Sequence, residues 1–370
     1  MKSRIIGAIL LIFLSAGCSS IPLEKARDVF YSEEPVKADL VLEECSGVSK
    51  KDRLLCYMEG GTILHDLKAY NESTQVLLKA SGLIKKQDLV NIKDQSSAVL
   101  VNDKVMTYKG EYSERLWVHT YLMMNFLLKY DYESALVEAK QALEVYDEYP
   151  DSLKDDYFTR ALIALCFENM NLPDDARIEY ERLAEAMGRP DLRPGPVARG
   201  KGELVLFIGQ GYVPTKESIE TVLPPSIRIS IPRYADSHPP LPVSIRSDCK
   251  ELTPLQITTD LGYVARKSLD DRAAQYLTRQ TLRAGVKESI AHEVGKKSEF
   301  AEALVRTVLF LSEEADTRSW ETLPESFSLV RITLDPGIHD LVISTEYSQR
   351  YYLNGVDIPG GKRLYRAIRF

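Results

Sequence analysis

The hydrophobic period of this chain changes once, and that change limits what the chain can build. Up to residue 188 apolar side chains recur at helical spacing; beyond residue 202 they alternate or run on as in strands. Between these halves, residues 189–202 hold three Pro and three Gly, the composition of a linker or domain boundary. At roughly 150 residues per domain, a chain of 370 residues with 44% apolar content has material for two cores. The expected fold class is therefore α followed by α+β. A helical array should occupy 36–188, and an antiparallel β-rich domain with a helical insertion should occupy 203–370.

The helical half repeats. Residues 114–130 carry Leu116, Trp117, Val118, Tyr121, Leu122 and more, apolar almost all round, as in a helix sandwiched between others. After a break at Asp131-Tyr132-Glu133, residues 134–149 place Ala135, Leu136, Ala139, Ala142, Leu143 and Tyr146 on one face, and Pro150 stops the run. A second pair follows over 155–170 and 173–187, joined at Asn171-Leu172-Pro173 and ended by Gly188 and Pro190. Aligning Ala135 with Ala176 also lays Met123 on Ala164, Phe126 on Phe167 and Ala142 on Leu183. A weaker copy earlier in the chain has Gly61, Leu64, Ser73, Leu77 and Ala80, with Gly61 in the place of Met123. Small side chains at such positions let paired helices approach, and the aromatic fills the remaining hole.

These units resemble tetratricopeptide repeats with insertions, one of them at 83–107, where Ser97-Ala98-Val99-Leu100-Val101 fits helix or strand. Three units are about the minimum for a stable array. The resemblance implies a concave groove lined by the first helix of each pair. By repeat position its lining includes His65, Thr120, Met124, Glu168 and Asn169.

The N-terminus sets an address. Lys2 and Arg4 precede the apolar residues 5–14, and Ser15-Ala16-Gly17 leads to Cys18, a secretory layout too short to span a bilayer. Leu14-Ser15-Ala16-Gly17-Cys18 resembles the lipobox of bacterial lipoproteins, with Ser15 where Leu is usual. The resemblance implies removal of 1–17, acylation of Cys18, a lipidated tether over 18–35 and, with Ser19 after the Cys, the periplasmic face of the outer membrane. Each buried CH₂ contributes about 0.8 kcal/mol, so two or more chains anchor stably. Loss of Lys2 and Arg4 takes the formal charge from −7 to −9, which leaves attachment to the lipid. An oxidising compartment permits disulfides. Cys45 and Cys56 flank a turn at Ser46-Gly47 and form the candidate bridge, whereas Cys166 sits in a helical pattern as a buried thiol. Neither C-x-x-C nor zinc spacing occurs, with Cys249 included.

In the second half, 203–208 reads as a buried strand closed by Gly209-Gln210-Gly211, and Ile227, Ile229 and Ile231 as a one-faced strand. Weaker strands fall at 239–245 and 255–258. Helices follow at 269–294, with Ala273, Ala274, Leu277 and Leu282 on its apolar face, and at 300–311. Residues 327–334 and 338–344, joined by Asp335-Pro336-Gly337, read as a hairpin, with edge strands at 351–353 and 364–370.

Chemistry is sparse. None of His65, His119, His238, His292 and His339 lies in H-E-x-x-H, so no metal is assigned; His119, on the most apolar helix, reads as a packed core residue. Neither G-x-S-x-G nor a phosphate-binding glycine motif occurs, so no catalytic residue or cofactor is assigned. The negative charge argues against nucleic acid, and no apolar run is long enough for a multi-pass membrane protein. Asp316, Arg318, Trp320 and Pro324 form a dense cluster. Trp320 is either a binding platform beside Arg318 or a core plug with Asp316 and Arg318 paired. This cluster, Tyr108-Lys109-Gly110-Glu111-Tyr112-Ser113-Glu114, and Gly202-Glu203-Leu204-Val205-Leu206-Phe207 together resemble a family of largely uncharacterised proteobacterial lipoproteins. That family carries tetratricopeptide-type helices before a β-rich domain. The leading expectation is an outer-membrane-anchored scaffold or assembly factor for periplasmic or envelope proteins. The alternative is an envelope glycan or lipid hydrolase using carboxylates such as Glu313, Glu314 and Asp316.

Overall fold

The computed structural model describes residues 21–370, apart from 43–44, 92–105, 191, 193–194, 224–226, 248–249, 312–313, 346–348 and scattered positions between 273 and 297. Cys18, Cys249, Glu313, the stretch 97–101 and Ala273, Ala274 and Leu277 lie outside the described residues.

The helical half is a run of helix hairpins. α1 (Ile21–Tyr31) and α2 (Pro35–Leu42) form the first, followed by a 3₁₀ turn at Lys50–Asp52. Next come α3 (Arg53–Asp66) with α4 (Tyr70–Asn91), α5 (Tyr112–Leu128) with α6 (Tyr132–Glu148), and α7 (Tyr157–Asn169) with α8 (Pro173–Ala186). The last three hairpins turn alike. Lys68, Tyr130 and Asn171 take left-handed φ values of 62°, 61° and 55°. One residue later, the backbone N–H groups of Ala69, Asp131 and Leu172 donate to Leu64, Phe126 and Phe167 at 2.9, 2.9 and 3.0 Å. This is a helix C-terminal cap in which a left-handed residue lets the chain reverse and satisfies a terminal carbonyl. These turns fall at the offsets of the sequence repeat, in register with Gly61, Met123 and Ala164. A side-chain hydrogen bond inside the hairpin repeats too. His119–Glu138 (2.7 Å) joins α5 to α6, and at the aligned positions Arg160–Glu179 (2.8 Å) joins α7 to α8.

The expected tether over 18–35 is corrected: from Ile21 onward the chain is helix, not spacer. Leu23, Ala26 and Phe30, at i, i+3 and i+7, are buried on one face of α1. Only Ser19 and Ser20 stand between Cys18 and this helix. Cys45 and Cys56 are joined by a disulfide that ties the turn before Lys50 to the first turn of α3. Cys166 is a buried free thiol whose pKa burial pushes up. Among the described residues no helix is long and apolar enough to cross a membrane.

The second half holds ten strands among the described residues: β1 (Gly202–Gln210), β2 (Lys216–Leu223), β3 (Ile227–Tyr234), β4 (Val243–Ser247), β5 (Lys250–Leu252), β6 (Leu255–Asp260), β7 (Ser326–Leu334), β8 (Gly337–Thr345), β9 (Arg350–Ile358) and β10 (Arg363–Arg369). The first sheet has the order β10-β1-β7-β6, the second β5-β4-β8-β9, and β2 and β3 make a separate ribbon. The pairings are antiparallel except β1 with β10, which run parallel. α9 (Leu261–Asp271) and α10 (Glu299–Leu311) lie in the insertion between β6 and β7. The expected helix start at 269 moves to 261, where Asp260 caps α9 by accepting from the Tyr263 N–H at 2.8 Å.

The expected hairpin over 327–344 is also corrected. β7 and β8 are both strands, but β7 pairs with β1 and β6 while β8 pairs with β4 and β9. Asp335-Pro336 carries the chain from one sheet to the other. Leu204, Leu206, Ile208 and Ile332 meet Ile245, Leu341, Ile343 and Ile358 between the two sheets. The other face of the first sheet, with Val205, Phe207, Leu329 and Tyr365, shares one core with the helices. Every residue of β1 is therefore buried, which is why it reads as an unbroken apolar run. The molecule has three layers, helices, sheet and sheet, so residues 189–202 separate two periods and not two cores.

Candidate functional site

The side of the helical stack formed by the first helices of the pairs is covered by the chain itself. The first helices of the pairs, α3, α5 and α7, contact the first sheet through β10, β6 and β7. Residues 315–324 act as a wedge between them. Trp320 is 1% exposed; its indole N–H donates to Thr62 Oγ1 at 2.9 Å and its backbone N–H to Glu114 at 2.7 Å. Glu59 accepts from the backbone N–H groups of Glu321 and Thr322, both at 3.0 Å. Arg318 holds Asp316 and Asp52, each at 2.7 Å. Of the two readings of this cluster, the structure has the core plug.

The five residues expected in the groove do not line one shared groove among the described residues. His65 is buried, its Nδ1 2.7 Å from Asn125 Oδ1, and burial lowers its pKa. Thr120 bonds Thr159 at 2.9 Å, and Met124 is wholly buried. Glu168 and Asn169, at the end of α7, are tied to arginines of the sheet. The reason is physical: an apolar helix face is covered by whatever apolar surface the same chain can supply.

The end of the stack is different. α4 is covered by α5, and α6 by α7, whereas the next element after α8 is β1. The outer face of α8 forms one wall of a cleft of about 940 Å³, and Gly188, Pro190, Leu192, Gly195, Pro196 and Val197 line its other side. Its floor is apolar: Ala176, Tyr180 and Leu192 are buried, with Ala184 beside them. Arg177, Glu181 and Glu185 line its exposed lip.

Glu168 and Arg363 close the cleft, and with Arg331 and Glu203 they make a cluster of four charges. Arg331 reaches Glu168 at 2.9 and 3.0 Å and Glu203 at 2.8 and 3.0 Å, and it donates to the Tyr180 hydroxyl at 2.8 Å. Arg363 binds Glu203 at 2.7 Å, Asn169 at 3.0 Å, and Glu168. Burial disfavours the charge on Arg331, but Tyr180, Glu168 and Glu203 outweigh it and hold the guanidinium charged. Burial likewise opposes ionisation of Glu203, yet Arg331 and Arg363 pull its pKa below the ordinary carboxylate value. Two guanidinium groups and two carboxylates thus compensate one another at the closed end of the cleft. An apolar trough with a charged rim suits an amphipathic partner.

Of the groove candidates, Glu168 lines this cleft. Sequence reasoning missed Tyr180, Arg331 and Arg363. The available signal was the stripe Ala176, Tyr180, Ala184 on a helix with no helix after it, and an Arg set between Val330 and Ile332. Among the described residues no group of three or more His, Cys, Asp or Glu is placed to hold a metal. No family model matches the chain, and no curated protein is found that matches it.

Proposed function

We propose that the chain is an acylated lipoprotein held by Cys18 at the periplasmic face of the outer membrane, where it serves as a scaffold or assembly factor for envelope proteins. On this reading the helix pairs are tetratricopeptide-like, the chain belongs with the proteobacterial lipoproteins it resembles, and it has no catalysis of its own. The observation that carries the proposal is the cleft on α8, open at the end of a stack whose first helices are covered by the sheet. Partners would meet the outside of the stack.

The test is photo-crosslinking in intact envelopes, with p-benzoylphenylalanine placed at Arg177 on the lip and, for comparison, at Lys250 in β5. Reproducible protein adducts from position 177 are expected, together with release of the Cys18→Ala chain from the membrane fraction. Equal membrane retention of Cys18→Ala would overturn the anchor, and absence of adducts from either position would overturn the scaffold. The hydrolase reading has one observation on its side. Burial raises the Glu321 carboxyl to about 6, in the range of a general acid. That carboxyl is packed against Arg27 and Tyr31 and does not line the cleft, so we place this reading second.

A further inference from the structure

We infer that the cleft on α8 seats one amphipathic α-helix of a partner protein, docked where the first helix of a further pair would lie. The inference rests on the scaffold reading and names the occupant of the same site. Its first ground is continuity with interfaces already built. α4 receives α5 and α6 receives α7, so the second helix of a pair presents its outer face to a following helix. In the repeat alignment, Ala176, Tyr180 and Ala184 of α8 fall on Ala135, Ala139 and Leu143 of α6, a helix that α7 covers. α8 carries the aligned small-and-aromatic stripe with no helix following it before β1 among the described residues.

Length is the second ground. The cleft wall runs along α8 from Pro173 to Glu185, about 18 Å at 1.5 Å per residue. That is close to the 13 residues of α7. Charge is the third. Successive pairs are already bridged by an arginine: Arg160 of α7 pairs with Glu179 of α8 and lies 4.3 Å over the ring of Tyr146 in α6. Helices joined by short connections run antiparallel. A helix in the next position would therefore bring its N-terminal half over Glu181 and Glu185, near the C-terminal end of α8. The fitting occupant has an apolar stripe and a basic N-terminal half.

The probe is a labelled peptide of this chain's own residues 155–170 carrying Asp155→Lys, Asp156→Lys and Cys166→Ser, with a scrambled peptide beside it. Fluorescence anisotropy on the full mature chain reads binding. Ala184→Glu, which places a carboxylate on the floor, is expected to weaken binding at least tenfold. Glu185→Lys lies on the exposed lip, where it cannot disturb packing, and should weaken it several-fold. Three results would overturn the inference: equal binding of the scrambled peptide, undiminished binding to both variants, or self-association of the wild type that Ala184→Glu abolishes, which would make the occupant a second copy. Adducts in the envelope from Lys250 but not from Arg177, with no peptide bound, would also overturn it and leave the scaffold standing. No adduct from either position would instead sink the scaffold.

Discussion

Gly61 sits where α3 packs closely on α4. A Cβ built there would collide with Leu77, itself fully buried, and the Gly61 carbonyl accepts from Ser73 Oγ at 2.7 Å. Two effects oppose each other when Ala replaces this glycine. Helix propensity favours Ala by about 0.8–1 kcal/mol, whereas overpacking a closed core costs about 1–3 kcal/mol. Leu77 has no exposed side on which to swing away, so overpacking wins. Gly61→Ala should lower the urea midpoint at unchanged slope, a loss of about 1–2 kcal/mol; a raised midpoint would show that Leu77 yields. The equivalent positions in the two later pairs carry side chains, Met123 and Ala164.

At the scale of elements, α1 works as a clasp. Arg27 donates through Nε and Nη2 to Glu59 at 2.9 and 2.6 Å, through Nη1 to Glu321 at 2.7 Å, and to the Ser319 carbonyl at 2.6 Å. One cation from the first helix thus pins α3 and the Trp320 wedge together. Glu59 takes the larger share of the guanidinium, which leaves Glu321 buried and only partly compensated. Burial, with Glu59 nearby, raises the Glu321 carboxyl from its ordinary 4.5 to about 6 against the pull of Arg27. A carboxyl raised in the folded state holds its proton more tightly there than in the unfolded chain. It therefore favours folding fully below pH 4.5, and that contribution is lost as pH climbs through about 6. The loss amounts to about 2 kcal/mol at about 1.4 kcal/mol per unit. In Glu321→Gln this dependence disappears. Urea titrations of both proteins between pH 4.5 and 7 should show the stability of wild type falling relative to the variant across that window. A constant difference, or one that grows in favour of wild type, contradicts the clasp as described.

For the whole molecule, the sheet that closes the helical stack decides how it unfolds. The later hairpins are legible because their caps, breaks and small residues are local, as at Asn171-Leu172-Pro173 and Gly188, whereas α1 is short and reads as a tether. What could not be read was which surfaces meet. Strand periodicity identifies β7 and β8 but not their partners, and the burial of β7 along nearly its whole length is what makes it a central strand. The cleft was legible only through Glu168, because Arg331 and Arg363 reach it from the far end of the sequence. The same long-range contacts merge the two halves. Tyr121, Phe158, Phe207 and Phe327 lie in a single core, with Phe158 and Phe327 stacked at 4.7 Å. Separately folding domains would melt in two steps; a shared core should melt in one. The two tryptophans divide the labour of testing this, Trp117 in α5 and Trp320 in the wedge. In Trp117→Phe and Trp320→Phe the remaining fluorescence reports one side of the interface while far-UV circular dichroism reports mainly the helices. Within each variant the two signals should share one midpoint, because neither side keeps its core once the other opens. A helical signal that outlasts Trp320 fluorescence would mean the stack stands alone, and that the sheet covers it without holding it.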